Sequence, residues 1–227
     1  MATALFITCL ADTVTPNVGR ATVTVLERIG VEVEFPAEQT CCGQMHFNAG
    51  YLDEARALAR RFVDQFDGYE TIVAPSGSCV GHVRAHVGEL AGDDRGVPGR
   101  TWELSQLLGD RVVASSFEAR LTYHPTCHSL RLLRLGNRPI ELLRSVPGVE
   151  LVDLPDAEEC CGFGGTFAVK NADVSAAMLD AKLDRILETG ADAVCACDAS
   201  CLLHIGGGLR RRGSPVRAVH LAEVLAE

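Results

Sequence analysis

Two short stretches constrain this chain more than anything else in it: Gln39 to Gln44 reads QTCCGQ, and Asp156 to Thr166 reads DAEECCGFGGT. Each sets two adjacent cysteines before a glycine, as Cys41, Cys42, Gly43 and as Cys160, Cys161, Gly162. A lone cysteine stands well upstream of each pair, Cys9 or Cys127, and another well downstream, Cys79 or Cys201. The spacings repeat: Cys127 follows Cys9 by 118 residues, Cys160 and Cys161 follow Cys41 and Cys42 by 119, and Cys201 follows Cys79 by 122. His204 follows His82 by the same 122. One layout of sulfurs is used twice, so the chain is read as two similar lobes, residues 1–115 and 116–227, facing each other across a pseudo-twofold.

The segments between the cysteines predict the same α/β programme in both lobes. In the first, short apolar strands at Ala4 to Thr8, Val31 to Phe35 and Thr71 to Ala74 alternate with helices at Pro16 to Ile29, Leu52 to Phe66 and from Cys79 to about Leu90. The second starts again with strands at Arg120 to Tyr123, Val149 to Leu154 and Ala193 to Ala196. Its helices are Ser129 to Ser145, interrupted or restarted at Pro139, then Ala172 to Glu188 and one opened by Asp198. Short closing helices ELSQLL and HLAEVL end the lobes. Residues 37–50 are read as a loop. Strands alternating with helices predict a mainly parallel sheet with crossover helices in each lobe. Ligands of such sheets gather beyond the carboxyl ends of the strands, where all eight repeated cysteines fall.

Four thiolates per lobe match the donor count of an iron-sulfur cluster or of a tetrahedral zinc ion. Structural zinc usually takes short hooks of two to four residues between cysteines, whereas these donors are spread over tens of residues and include an adjacent pair. Two neighbouring cysteines reach separate iron atoms of a cluster more easily than one small ion. Gly43 and Gly162 let the main chain turn sharply and bring N–H groups to sulfur. A plain turn glycine is the bland alternative. For His82 and His204, three residues after a cysteine on a helix face, the open roles are donor to a cluster sulfur, proton carrier, metal ligand or simply packed side chain. Cys195 and Cys197 have no partners in the first lobe, where Val73 and Pro75 align. Cys195 reads as a buried core thiol, and Cys197, nearer the site, as a possible substitute ligand.

Composition narrows the function classes. A net charge of −9 over 227 residues repels phosphate backbones and anionic lipid, which argues against nucleic-acid or membrane-surface binding and favours a protein partner or a small redox carrier. Met1 to Asp12 has no basic start and only a short apolar run, reading as neither signal peptide nor membrane span. A cytoplasmic location is therefore expected, where ten cysteines serve as ligands or redox groups rather than disulfides. The GFGG run at Gly162 to Gly165 lacks both the dinucleotide fingerprint and the Walker lysine, and is read as a tight turn.

The segments CCGQMHFNAGY, APSGSC, HPTCH, CCGFGGTFAVK and CDASCLLHIG resemble the cysteine-rich CCG domain family over essentially the whole chain. That family includes the cysteine-rich component of heterodisulfide reductase, the iron-sulfur component of glycolate oxidase and, nearest in wording and length, the lactate-utilisation protein A family. The resemblance implies an iron-sulfur electron-transfer subunit of a system oxidising L-lactate to pyruvate, with a ferredoxin-like iron-sulfur protein and a third subunit as partners. In heterodisulfide reductase relatives each motif ends in Cys-x-x-Cys and supplies five sulfurs to a non-cubane four-iron cluster. Here Ser76 and Asp198 replace the penultimate cysteines. The cluster type is thereby left open among four-iron, smaller and zinc-bound states. A thiol-disulfide reductase and a non-catalytic zinc-binding assembly module are the rival readings.

Overall fold

The computed structural model describes residues 2–111 and 113–227. It contains two four-stranded, all-parallel sheets. In the first half β1 (Thr3–Leu5), β2 (Val33–Glu34), β3 (Thr71–Ala74) and β4 (Thr101–Glu103) lie in the order β2-β1-β3-β4. In the second, β5 (Ala119–Tyr123), β6 (Val149–Val152), β7 (Ala193–Ala196) and β8 (Arg217–His220) repeat it as β6-β5-β7-β8. Register is fixed at the centre of each sheet, Leu5 opposite Val73 and Tyr123 opposite Cys195. The α/β reading with two similar lobes and crossover helices is what the chain adopts.

The order reverses direction between β1 and β3, and between β5 and β7. At that switch point the helices after neighbouring strands leave on opposite faces of the sheet, and a crevice opens beyond the carboxyl ends. Cys9 follows β1 and Cys79 follows β3; Cys127 follows β5 and Cys201 follows β7. Topology alone thus brings the outer members of each quartet to the same edge.

Each sheet buries both faces, which is why its strands read as near-continuous apolar runs. On the outer face of the first sheet Phe6, Ile72 and Ala74 pack against Phe62, Val63 and Phe66 of the helix Leu52–Phe66. On the outer face of the second, Val194 meets Leu179, Leu183 and Ile186 of Ala172–Glu188, and Ile205 of Ala199–Arg211. The two inner faces share one core. Leu5, Val73, Leu121 and Cys195 enclose the helices Pro16–Arg28, Leu104–Leu108, Arg138–Arg144 and Leu221–Ala226. There Pro16–Arg28 packs on Leu221–Ala226, and its counterpart Arg138–Arg144 packs on Leu104–Leu108. That exchange of equivalent helices is the mark of a pseudo-twofold.

Local differences from the sequence reading have local causes. Residues 37–50 hold a five-residue helix, Gln44–Asn48, which begins where Gly43 turns left-handed. Of the two readings of Ser129 to Ser145, the restart at Pro139 is the one the chain adopts: there are two helices, Cys127–Arg131 and Arg138–Arg144, and Pro139 sits in the first turn of the second, where its missing N–H costs nothing. Strand β4 has no counterpart in the sequence reading because Thr101, Trp102 and Glu103 carry little apolar signal. It ends in a capping box, with Glu103 accepting the Ser105 N–H and Gln106 returning to the Glu103 N–H. His220 plays the same part for the last helix, with Glu223 as its return partner.

Candidate metal centre

Both quartets line one cavity of about 230 Å³ at the carboxyl ends of the two sheets. Cys9, Cys41, Cys42 and Cys79 form one side of it, and Cys127, Cys160, Cys161 and Cys201 the other. All ten cysteines are free thiols. Within each quartet neighbouring thiols perturb one another in a chain: Cys9 with Cys41, Cys41 with Cys42, Cys42 with Cys79, and likewise Cys127 with Cys160, Cys160 with Cys161, Cys161 with Cys201.

The electrostatics of the two chains are the same. Hydrogen bonds from Cys42 and Cys9 hold the Cys41 thiol far below the ordinary range, to about 2, and those from Cys127 and Cys161 do the same for Cys160. The protons are kept by the neighbours. Cys9 and Cys42 are pushed up, first by hydrogen bonding to the Cys41 thiolate and then by burial or a further thiol. Cys127 and Cys161 are pushed up in the same way by Cys160. Four sulfurs packed this closely cannot all carry charge by themselves, and a cation is what lets them. The donor set therefore fits a thiolate-bound metal or cluster.

Backbone geometry supports the same two sulfurs. The Gly43 N–H donates to Cys41 Sγ at 3.4 Å and the Gly162 N–H to Cys160 Sγ at 3.3 Å. Both glycines are left-handed, at φ 89° and 85°. A Cβ on Gly162 would lie 2.6 Å from the Ser175 carbonyl oxygen, so that turn is closed to any other residue. Thr8, just before Cys9, holds φ 71° without being glycine, a strain of about 1–3 kcal/mol stored beside the site.

The histidines singled out by spacing stand behind the Cys-Cys-Gly turns and off the cavity wall. His82 is buried against Phe47 and His86, its Nε2 close to Gly43 and without a hydrogen-bond partner among the described residues. Burial, then the neighbouring His86, lowers its pKa to about 4. His204 packs edge-on to Phe163, its Nε2 3.3 Å from Ser175 Oγ. Cys195 is core, as expected. The reading of Cys197 as a substitute ligand is corrected: its side chain points away from the cavity into the shared core, fully buried, where Sγ meets the Tyr123 hydroxyl at 3.3 Å. Strand alternation is the reason, since Cys195 and Cys197 share a face two residues apart and that face is inward.

Three further groups belong to the site without having been singled out by spacing. His128 lines the cavity and joins the lobes through Gln44, with Nε2 3.0 Å from Gln44 Nε2. His124 is completely buried beside Cys161 and Cys201: one of its ring nitrogens and the two sulfurs lie within 4.8 Å of one another. Lys182 is buried on the same side, its Nζ donating to the Asp156 carbonyl at 2.8 Å. The HPTCH segment carries both histidines in plain view, and subtracting the 118-residue repeat sets His124 against Phe6.

Comparison with known proteins agrees with the duplicated layout. The cysteine-rich domain CCG matches twice, over residues 3–84 and 121–206. Lactate utilization protein A of Halalkalibacterium halodurans is 46% identical over 99% of this chain and 96% of its own length. The proteins of that name from Oceanobacillus iheyensis and Exiguobacterium sp. are 43% and 45% identical, each over 99% of this chain and 96% of theirs. Among solved structures, an aspartate racemase homologue from Pyrococcus horikoshii aligns over 99% of this chain and 95% of its own at 12% identity and a TM-score of 0.36, too remote to bear on the fold. Two CCG domains and near-full-length identity above 40% together make this chain a member of the lactate utilization protein A family.

Proposed function

We propose that this protein is an iron-sulfur electron-transfer subunit of a multi-protein system that oxidises L-lactate to pyruvate. The observation that carries the reading is the convergence of two equivalent thiol quartets on one cavity. Cys9, Cys41, Cys42 and Cys79 hold one metal centre, and Cys127, Cys160, Cys161 and Cys201 the other. A bound cluster supplies one-electron redox chemistry. The chain supplies thiolates, the Gly43 and Gly162 N–H donors that stabilise charge on Cys41 and Cys160, and a recessed setting that limits water. The chain is divided functionally as 1–115 and 116–227, one centre to each.

The family name supports lactate as the substrate class, and the family resemblance implies the partners: a ferredoxin-like iron-sulfur protein and a third subunit that carry the chemistry on lactate. Among the described residues no helix is long and apolar enough to cross a membrane. A shared cavity between two centres also suits a thiol-disulfide reductase, which would turn over a disulfide without partners. Anaerobic purification with iron and acid-labile sulfide analysis tests the proposal. Stoichiometric iron and sulfide with visible charge-transfer absorption is the expected result, and no turnover of lactate or of a disulfide by the isolated chain. A colourless protein holding only zinc contradicts it.

A further inference from the structure

The two centres are not copies of each other. His124 lies three residues before Cys127, and Phe6 three before Cys9, so the two occupy equivalent places. Lys182 stands 120 residues after Phe62, as the fully buried Ile186 does after the fully buried Phe66. In the first lobe Phe6 and Phe62 meet edge-to-face at 5.0 Å and close the floor beneath the cysteines with hydrocarbon. In the second lobe both rings are replaced by polar groups.

Neither His124 nitrogen has a hydrogen-bond partner among the described residues, although the side chain has no solvent exposure. A buried imidazole left unsatisfied on both sides forfeits the hydrogen bonds that water would give it. Such groups are rare unless something outside the protein satisfies them. The sulfurs in reach are those of Cys161 and Cys201, and the three donor atoms have the mutual spacing of a metal's ligand shell.

Resting on the reading of the quartets as metal ligands, we propose that His124 is a nitrogen donor to the second-lobe metal, beside Cys161 and Cys201. The second centre then has a mixed sulfur and nitrogen shell, while the first, floored by Phe6 and Phe62, is all sulfur. His124 adds a neutral nitrogen donor that the first lobe lacks, so the two centres differ in ligand chemistry.

The test uses the full chain with the first centre disabled by Cys41→Ser and Cys42→Ser, reconstituted with iron and sulfide, and in parallel titrated with cobalt(II). Histidine labelled with 15N should give a strong, directly bonded nitrogen coupling in the pulsed magnetic resonance spectrum of the second centre. His124→Phe, which copies the first lobe, should abolish that coupling and weaken cobalt(II) binding at least about tenfold. His124→Gln serves as a second variant, and both substitutions are also made in the chain with Cys41 and Cys42 intact, where metal retained in the first lobe reports that the variant still folds. A second centre that keeps its spectrum and affinity in both variants overturns the nitrogen donor alone. A chain in which neither lobe takes up iron, cobalt(II) or zinc overturns the parent reading and this one with it.

Discussion

Ser76 and Asp198 face each other as an isolated antiparallel bridge between the two sheets, at the positions where heterodisulfide reductase relatives carry their fifth cysteine. Each is a helix N-cap: Ser76 Oγ accepts the Cys79 N–H at 3.3 Å, and Asp198 Oδ1 accepts the Ser200 N–H at 3.4 Å. Asp198 Oδ2 also reaches across to accept the Ser78 N–H at 2.7 Å. Where those relatives have a further sulfur, this chain has a structural tie between its lobes.

Asp198→Ala removes the cap and the cross-lobe bond together and leaves the half-buried Ser78 and Ser200 N–H groups bare. It should cost about 2–4 kcal/mol, from the loss of a cap and of a charge-assisted bond. Asp198→Asn, which keeps one acceptor, should lose less. Denaturant unfolding of the two variants checks the ranking.

The two glycine turns should differ under the same substitution. Both Gly43→Ala and Gly162→Ala meet the left-handed penalty of about 1–2 kcal/mol. Gly162→Ala in addition drives its Cβ against the Ser175 carbonyl and Met178 Cβ, whereas the nearest atom to a Cβ on Gly43 is 3.4 Å away. Thermal unfolding should place Gly162→Ala clearly below Gly43→Ala, with metal lost from the second lobe first.

Glu103 is a pH-sensitive cap. Full burial raises its carboxyl from the ordinary 4.5 to about 7, against the opposing pull of the Ser105 hydrogen bonds. The folded state therefore holds a proton that the unfolded state releases. The stability this gives is complete below about pH 4.5 and is lost as pH rises to about 7, by roughly 3 kcal/mol. Glu103→Gln keeps an acceptor for the Ser105 N–H and cannot ionise. The stability of wild type relative to Glu103→Gln should fall with pH across that window and level off above it, measured by unfolding at a series of pH values.

Cys197→Ala should leave metal content unchanged while destabilising the shared core by about 1–2 kcal/mol, since it opens a small space beside Tyr123. Iron analysis with a melting curve separates the two effects.

The repeat is legible in the sequence because it rests on residues that few folds need twice in the same spacing, and the helices Leu52–Phe66 and Ala172–Glu188 because their periodicity is long and regular. Short elements are harder. Strand β2, only Val33–Glu34, is still marked by the alternation of Val31 to Phe35, whereas β4 is a polar triplet held by its neighbours in the sheet and has no strong local signal. The orientation of Cys197 depends on which face of β7 turns inward, which spacing from Cys201 does not reveal. His124 escapes for a different reason: attention to what the lobes share hides the one place beneath the cysteines where they differ.

Iron and sulfide quantified in anaerobically reconstituted Cys42→Ala and Cys161→Ala test the central claim most directly. Each variant should lose the metal of its own lobe and keep that of the other, so that each retains roughly half of the wild-type iron. Full iron in both variants, or its complete loss from either while the protein stays folded, contradicts two independent thiolate centres, one in each half of the chain.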